Sequence, residues 1–300
     1  MKLAKSNIGY TGIGADGKPV TEYYGWNPGG FGCSANCPGC WSKEIATRFK
    51  PKCPDCAAFR VHLHPERLSA PAETKKPGVV LCNFTCDTFD PQRTNRDVLH
   101  TLCAADATKG HVYVWLTKQA ERMAEILACN RQQPQLACDF WGLTIRNQAE
   151  ADAKLPQFLT IKGNLWLSLE PLWGSVNLGW WWSNKSASDP VVMTCQDIKG
   201  VVVGHDNRRG APGTDTLEHI RGVVQQCKEA GVNVFCKQLW LPTCPDCGTF
   251  GNLIATERPG DDCPGECGGK IRWKFHTNPD NFPPDLQLRT LPWSAPCPEK

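Results

Sequence analysis

The sequence predicts an α/β fold: a partial, TIM-like (β/α) barrel followed by a C-terminal zinc-ribbon-like extension. Three observations carry this expectation. Short apolar, β-branched runs alternate with helical stretches over most of the chain, the pattern of βαβ units and a parallel sheet. At 300 residues with 41% hydrophobic content, the chain suits one large core. Beyond Leu241 the composition turns to Cys, Gly and Pro, so the expected division is a barrel over residues 1–240 and a Cys-rich tail over residues 241–300.

The elements follow in chain order. Tyr23 to Phe31 is aromatic and glycine-rich and runs into a first cysteine group, after which Trp41 to Phe49 reads as a short helix. Strand-like runs come at Val79 to Phe84, His111 to Leu116, Phe140 to Ile145, Leu165 to Leu169, Gly200 to Val203 and Val232 to Phe235. Helical stretches lie between them, clearest at Lys118 to Ala128, Asn147 to Leu159 and Thr216 to Ala230, with Gly231 as a C-cap. In such barrels chemistry sits at the C-terminal ends of the strands. That rule selects Asn83, Thr85 and Asp87, then Thr117 and Lys118, Arg146 and Asn147, Glu170, His205 to Asn207, and Lys237 with Gln238.

Composition narrows the function classes. A formal net charge of +3 gives no strong electrostatic footprint for nucleic acid or membrane. Met1 to Gly14 lacks the apolar run of a secretory signal, and no stretch approaches the roughly 20 apolar residues of a membrane span. A cytoplasmic location without membrane association is therefore expected. In a reducing compartment, eighteen cysteines point to metal ligands rather than disulfides. Eleven fall in groups, and seven stand singly as candidate small core residues: Cys103, Cys129, Cys138, Cys195, Cys227, Cys236 and Cys297.

Cys33, Cys37 and Cys40 have the spacing C-x3-C-x2-C within Gly32 to Cys40. Three thiolates on a short loop hold three irons of a cubane and leave the fourth iron without a protein ligand. Such an open iron is what chelation by S-adenosylmethionine (SAM) requires. The competing reading is a zinc knuckle, because three cysteines alone do not name their metal.

This motif resembles the signature of the radical SAM superfamily, which follows the first barrel strand. Where that signature usually has an aromatic residue before its last cysteine this chain has Gly39, with Trp41 on the other side. Further motifs resemble, in order, a phage and bacterial family of unknown function within that superfamily. They are His64-Pro65-Glu66-Arg67-Leu68, Leu116-Thr117-Lys118 with Glu121-Arg122-Met123-Ala124, Asn147-Gln148, Ser168-Leu169-Glu170-Pro171-Leu172, and Phe235-Cys236-Lys237-Gln238, over Tyr24 to Trp240. The resemblance implies a 4Fe-4S cluster on Cys33, Cys37 and Cys40 and reductive cleavage of SAM. It also implies hydrogen abstraction from a substrate, and an external electron donor of flavodoxin or ferredoxin type. Strand-end polar groups would hold the cofactor, here Asn83, Thr85, Asp87, Thr117, Lys118, Asn147 and Glu170, with Glu170 the first choice. For Asn147 a helix N-cap is the competing role.

Cys244-x2-Cys247 and, fifteen residues on, Cys263-x3-Cys267 form two knuckles that suit a tetrahedral zinc site; an auxiliary Fe-S cluster is the competing occupant. Cys53 and Cys56 are candidates for a second zinc, completed either by His62 and His64 or by Cys82 and Cys86. Exposed aromatics such as Trp180-Trp181-Trp182, with Arg208 and Arg209, would suit a nucleic acid or nucleotide substrate; core packing is the plainer account. The alternative to an enzyme is a non-catalytic, zinc-binding nucleic-acid module.

Overall fold

The structure is a computed structural model that describes residues 1–6, 8–10, 12–129, 139–179, 198–206, 215–247, 262–263 and 267–294. Trp180–Trp182, Asn207, Arg208, Arg209, Cys138, Cys195 and Cys297 lie outside the described residues.

The chain opens with β1 (Ala4–Lys5) and a small hairpin, β2 (Gly12–Ile13) and β3 (Pro19–Val20), before β4 (Tyr23–Trp26). Helices α1 (Trp41–Phe49), α2 (Pro54–Ala57) and α3 (Ala70–Glu73) lead to β5 (Val79–Cys82) and α4 (Asn95–Asp106). Then come β6 (Val112–Thr117), α5 (Ala120–Cys129), β7 (Asp139–Thr144), α6 (Gln148–Phe158), β8 (Asn164–Leu169) and β9 (Ile198–Val203). Helix α7 (Asp215–Ala230), strand β10 (Asn233–Cys236) and a ribbon of β11 (Leu239–Thr243) and β12 (Arg272–His276) complete the order. All six expected strands are present, and so are the four expected helices. Gly231 ends α7 at φ +67°, a left-handed conformation that glycine adopts without strain.

Seven of the eight strands of the main sheet, β4 to β10, run parallel in chain order, with β1 antiparallel on the outer edge of β4. Each strand lies beside its predecessor, which is the order of a barrel wall and not of a doubly wound sheet, where the order reverses. Among the described residues β10 does not pair with β4, so the sheet's own strands do not close it.

Alternation along each strand sends successive side chains to opposite faces. One set, including Val80, Trp115, Leu143, Leu167 and Val203, packs under α4 to α7. The other set, including Val79, Leu81, Val114, Trp166, Val202 and Phe235, packs around Tyr10, Val20, Leu291 and Trp293. Strands buried on both faces read as unbroken apolar runs, which is why periodicity found them.

Trp293 lies 5.2 Å, centroid to centroid, from Trp166 on β8, and its indole N–H donates to Tyr23 on β4 at 3.1 Å. In a flat sheet those strands would stand roughly 19 Å apart, so the sheet must curl strongly around this plug. The exposed edge of β10 is covered by the returning tail: Cys236 N–H donates to Leu288 and Thr290 N–H to Val234, while Leu291 N–H donates on to Ile13. Residues 279–294 therefore pack with the sheet's core, where Leu286, Leu291 and Trp293 are fully buried, and the ribbon joins the same core through Leu239 and Leu241 of β11. No helix among the described residues is long and apolar enough to cross a membrane.

Candidate functional site

A cavity of about 410 Å³ opens at the C-terminal ends of the parallel strands. Cys33, Cys37 and Cys40 form one side of it. Strand ends supply much of the rest: Thr85 and Asp87 after β5, Thr117 and Lys118 at the end of β6, Glu170 after β8, and Lys237 and Gln238 after β10. Five of the seven residues expected to hold a cofactor are thus brought to one wall.

The other two are not. Asn83 is buried with φ +54°, and both ends of its amide are spent: the carbonyl accepts from Gly29 N–H at 2.9 Å and the amino group donates to Thr88 at 3.0 Å. Asn147 does not line the cavity; it is the N-cap of α6, accepting from Glu150 N–H at 3.0 Å.

Among the five, roles differ. Asp87 accepts from the Thr117 hydroxyl at 2.8 Å, from Lys118 N–H at 3.0 Å and from Phe89 N–H at 2.9 Å, so it ties the end of β5 to the end of β6. Burial nevertheless pushes its carboxyl above the usual range, against those hydrogen bonds. Thr85 donates to Gly30 O at 2.6 Å and braces the loop that leads to Cys33. Glu170 accepts from Lys237 at 3.0 Å and from Gln238 at 2.8 Å, and faces the cavity as a paired, half-buried carboxylate.

The cysteine loop is held by residues that strand-end reasoning did not select. Ser34 donates from its N–H (2.7 Å) and hydroxyl (2.9 Å) to Asp90, which is fully buried. Ser42, at the start of α1, donates to Thr85 O. Burial, with Asp87 and Asp90 nearby, pushes the Cys33 thiol up to about 12, so a metal must displace its proton. Tyr10 comes to the cavity from the N-terminal hairpin, with Lys237 Nζ 5.0 Å from its ring. Arg146 stacks 4.2 Å over Trp173, which is 41% exposed at the cavity's edge. No strand-end rule finds Tyr10, Trp173 or Asp90, because their loops are placed by tertiary packing.

Two groups of four donors, each within 4.8 Å, are gathered tightly enough to hold one ion. In the ribbon, Cys244 and Cys267 sulfurs lie 3.4 Å apart and Cys247 and Cys263 sulfurs 3.5 Å apart, close to the ~3.8 Å edge of a tetrahedral zinc-thiolate site. The second group is Cys53, Cys56, His62 and His64. Cys82 and Cys86 do not join it. Cys82 lies fully buried in β5 with its thiol on Val80 O, and Cys86 is near the Arg93 guanidinium at 3.4 Å.

Cys33, Cys37 and Cys40 are not gathered within the same 4.8 Å limit. A search of curated proteins and a search of solved structures each return no match. Residues 21–250, the span holding most of the cavity's lining, the cysteine triplet and the first of the ribbon's knuckles, match the DUF5131 family of proteins of unknown function, and the chain belongs to that family.

Proposed function

We propose that the chain is a radical SAM enzyme: Cys33, Cys37 and Cys40 carry a 4Fe-4S cluster at the wall of the strand-end cavity, and the fold is a partial barrel of the radical SAM type. The observation that carries this reading is a triplet of thiols lining the strand-end cavity and spread too widely to share one ion, which is compatible with three separate irons. The donor set fits the group: Cys33, Cys37 and Cys40 line the cavity together and offer three sulfur ligands. When bound, the cluster would pass one electron from an external flavodoxin- or ferredoxin-type donor to the sulfonium of SAM, releasing methionine and a 5′-deoxyadenosyl radical that abstracts hydrogen from the substrate.

The protein's own residues bind and orient. Glu170, already aimed by Lys237 and Gln238, accepts from the ammonium or ribose hydroxyls of SAM, and Lys118 offers a cation to its carboxylate. Asp87 and Thr117 tie the ends of β5 and β6 together, and Thr85 braces the loop that leads to Cys33. Asn83 and Asn147 are left out of this assignment, their polar groups being engaged elsewhere. A nucleic acid or nucleotide is the proposed substrate class, since the Arg146–Trp173 stack and exposed Trp41 at the rim suit a base and its phosphate.

Anaerobic reconstitution with iron and sulfide, followed by dithionite and SAM, tests the class. Release of 5′-deoxyadenosine is expected, and its loss in Cys37→Ala. Protein that holds zinc alone and has no visible absorbance would instead support the non-catalytic nucleic-acid-binding module.

A further inference from the structure

Cys53, Cys56, His62 and His64 pack against the loop that leads to Cys33, outside the cysteine triplet. Cys56 Sγ is 3.3 Å from Nε2 of both His62 and His64, Cys53 Sγ is 3.7 Å from His62 Nε2, and the two Nε2 atoms are 2.9 Å apart. This interleaving does not suit a two-iron centre, which would separate its cysteine pair from its histidine pair. It suits one tetrahedral ion with two sulfur and two nitrogen ligands, the donor set of structural zinc.

The far side of each imidazole is prepared for the same task. His62 Nδ1 lies 2.8 Å from Arg60 O, which can only accept, so that nitrogen carries the proton. His64 Nδ1 lies 2.9 Å from a Glu66 carboxylate oxygen. Both rings therefore turn the lone pair of Nε2 towards the two thiols, the arrangement that outer partners impose on metal-bound histidine.

The group is also built into the loop that delivers Cys33. Phe31 N–H donates to Cys56 Sγ at 3.4 Å, and His64 N–H donates to Pro28 O at 2.7 Å. Gly30 has φ +61°, and a Cβ there would stand 2.6 Å from Cys56 Sγ and 2.9 Å from His64 Nε2. At Gly32 a Cβ would meet Arg60 O at 2.0 Å. From the other side Arg93 donates to His62 O at 2.8 Å.

We infer that Cys53, Cys56, His62 and His64 bind one structural zinc ion, and that this ion acts as a clamp on Gly30–Gly32, fixing where Cys33 enters the cavity wall. The zinc and the clamped loop stand on their own geometry. Only the consequence for iron loading rests on the cluster reading.

The test therefore begins without iron. In the full chain carrying Cys33→Ser, Cys37→Ser and Cys40→Ser, which removes the triplet, two equivalents of zinc are expected, one for each four-donor group. Adding His62→Ala should leave one, and should speed amide exchange about tenfold across residues 28–34 while residues 272–276 of the ribbon keep their protection. His62→Cys, which retains a ligand, should restore both the second zinc and the slow exchange. It also decides the matter if the alanine variant does not fold. A single zinc in the triple-serine chain, a second zinc that survives His62→Ala, or loop exchange indifferent to its loss would each overturn the clamp. In the chain with its triplet intact, His62→Ala should then lower iron incorporation on reconstitution. Failure of the wild-type chain to take up iron at all would count against the cluster and leave the zinc result standing.

Discussion

The ribbon quartet and the quartet beside the Cys33 loop, Cys53, Cys56, His62 and His64, have the same number of donors and opposite surroundings. Around Cys244, Cys247, Cys263 and Cys267 the buried apolar cluster among the described residues is Cys244, Cys263 and Ile271, so a bound metal would do much to hold the two knuckles together. Around Cys53, Cys56, His62 and His64 the backbone is already tied by Pro28 O, Asp55 O and the Arg93 guanidinium, and Gly30 is pressed against the ligands. In the ribbon a bound metal would take the place of a hydrophobic core. Beside the Cys33 loop it would refine the position of a segment that hydrogen bonds already shape.

That contrast breaks most easily at the ribbon. Cys263→Ala should release its zinc, whose apparent binding contributes on the order of 10 kcal/mol in small zinc domains, and unfold residues 262–276. Metal analysis and amide exchange would read this. The main sheet should keep its protection, because the chain after the ribbon is held by the sheet and not by the ribbon.

A smaller effect sharpens that last point. Trp293→Ala removes the plug between Tyr10, Tyr23 and Trp166 and should cost ~3–5 kcal/mol of global stability, seen as a lower denaturant midpoint with the zinc content unchanged. Ribbon protection lost along with the sheet's would show that the two are one cooperative unit.

The smallest expected effect lies at the quartet beside the Cys33 loop. Glu66→Gln keeps the size of the side chain but weakens its hold on His64 Nδ1, and should lower zinc affinity there roughly 10- to 100-fold. A competition titration against a chelator would measure it, with the ribbon site as the internal standard. Equal affinity in both proteins would mean that Glu66 does not orient the ligand.

Much of the fold was legible because its strands are buried on both faces. Val79–Cys82, Val112–Thr117 and Asn164–Leu169 read as apolar runs whatever the tertiary detail. Strand β4 is not marked by alternation, since Tyr23-Tyr24-Gly25-Trp26 reads as aromatic and glycine-rich; pairing with β5 makes it a strand. Helix α4 went unassigned although Thr94 caps it by accepting from Asp97 N–H, and Val98, Leu102 and Ala105 line its buried face. Its low overall hydrophobicity masked that spacing.

The site was legible where chemistry is local. Cysteine spacing announced the triplet and the ribbon quartet, and the strand-end rule brought Thr85, Asp87, Thr117, Lys118 and Glu170 to the cavity. Spacing alone did not choose between His62/His64 and Cys82/Cys86 as partners of Cys53 and Cys56. That choice depends on which way a short loop folds back, and on Cys82 being committed to the sheet's buried face. Asn83 failed the rule for a similar reason: a left-handed turn directs its amide into the loop at Gly29.

The central claim concerns an iron with a free corner on Cys33, Cys37 and Cys40. Electron paramagnetic resonance of the reconstituted, dithionite-reduced protein, recorded before and after adding SAM, addresses it most directly. A signal from a reduced 4Fe-4S cluster that changes shape and field position with SAM, and is absent in Cys37→Ala, is the predicted result. A cluster signal that SAM leaves untouched, or a protein that takes up no iron, would contradict it.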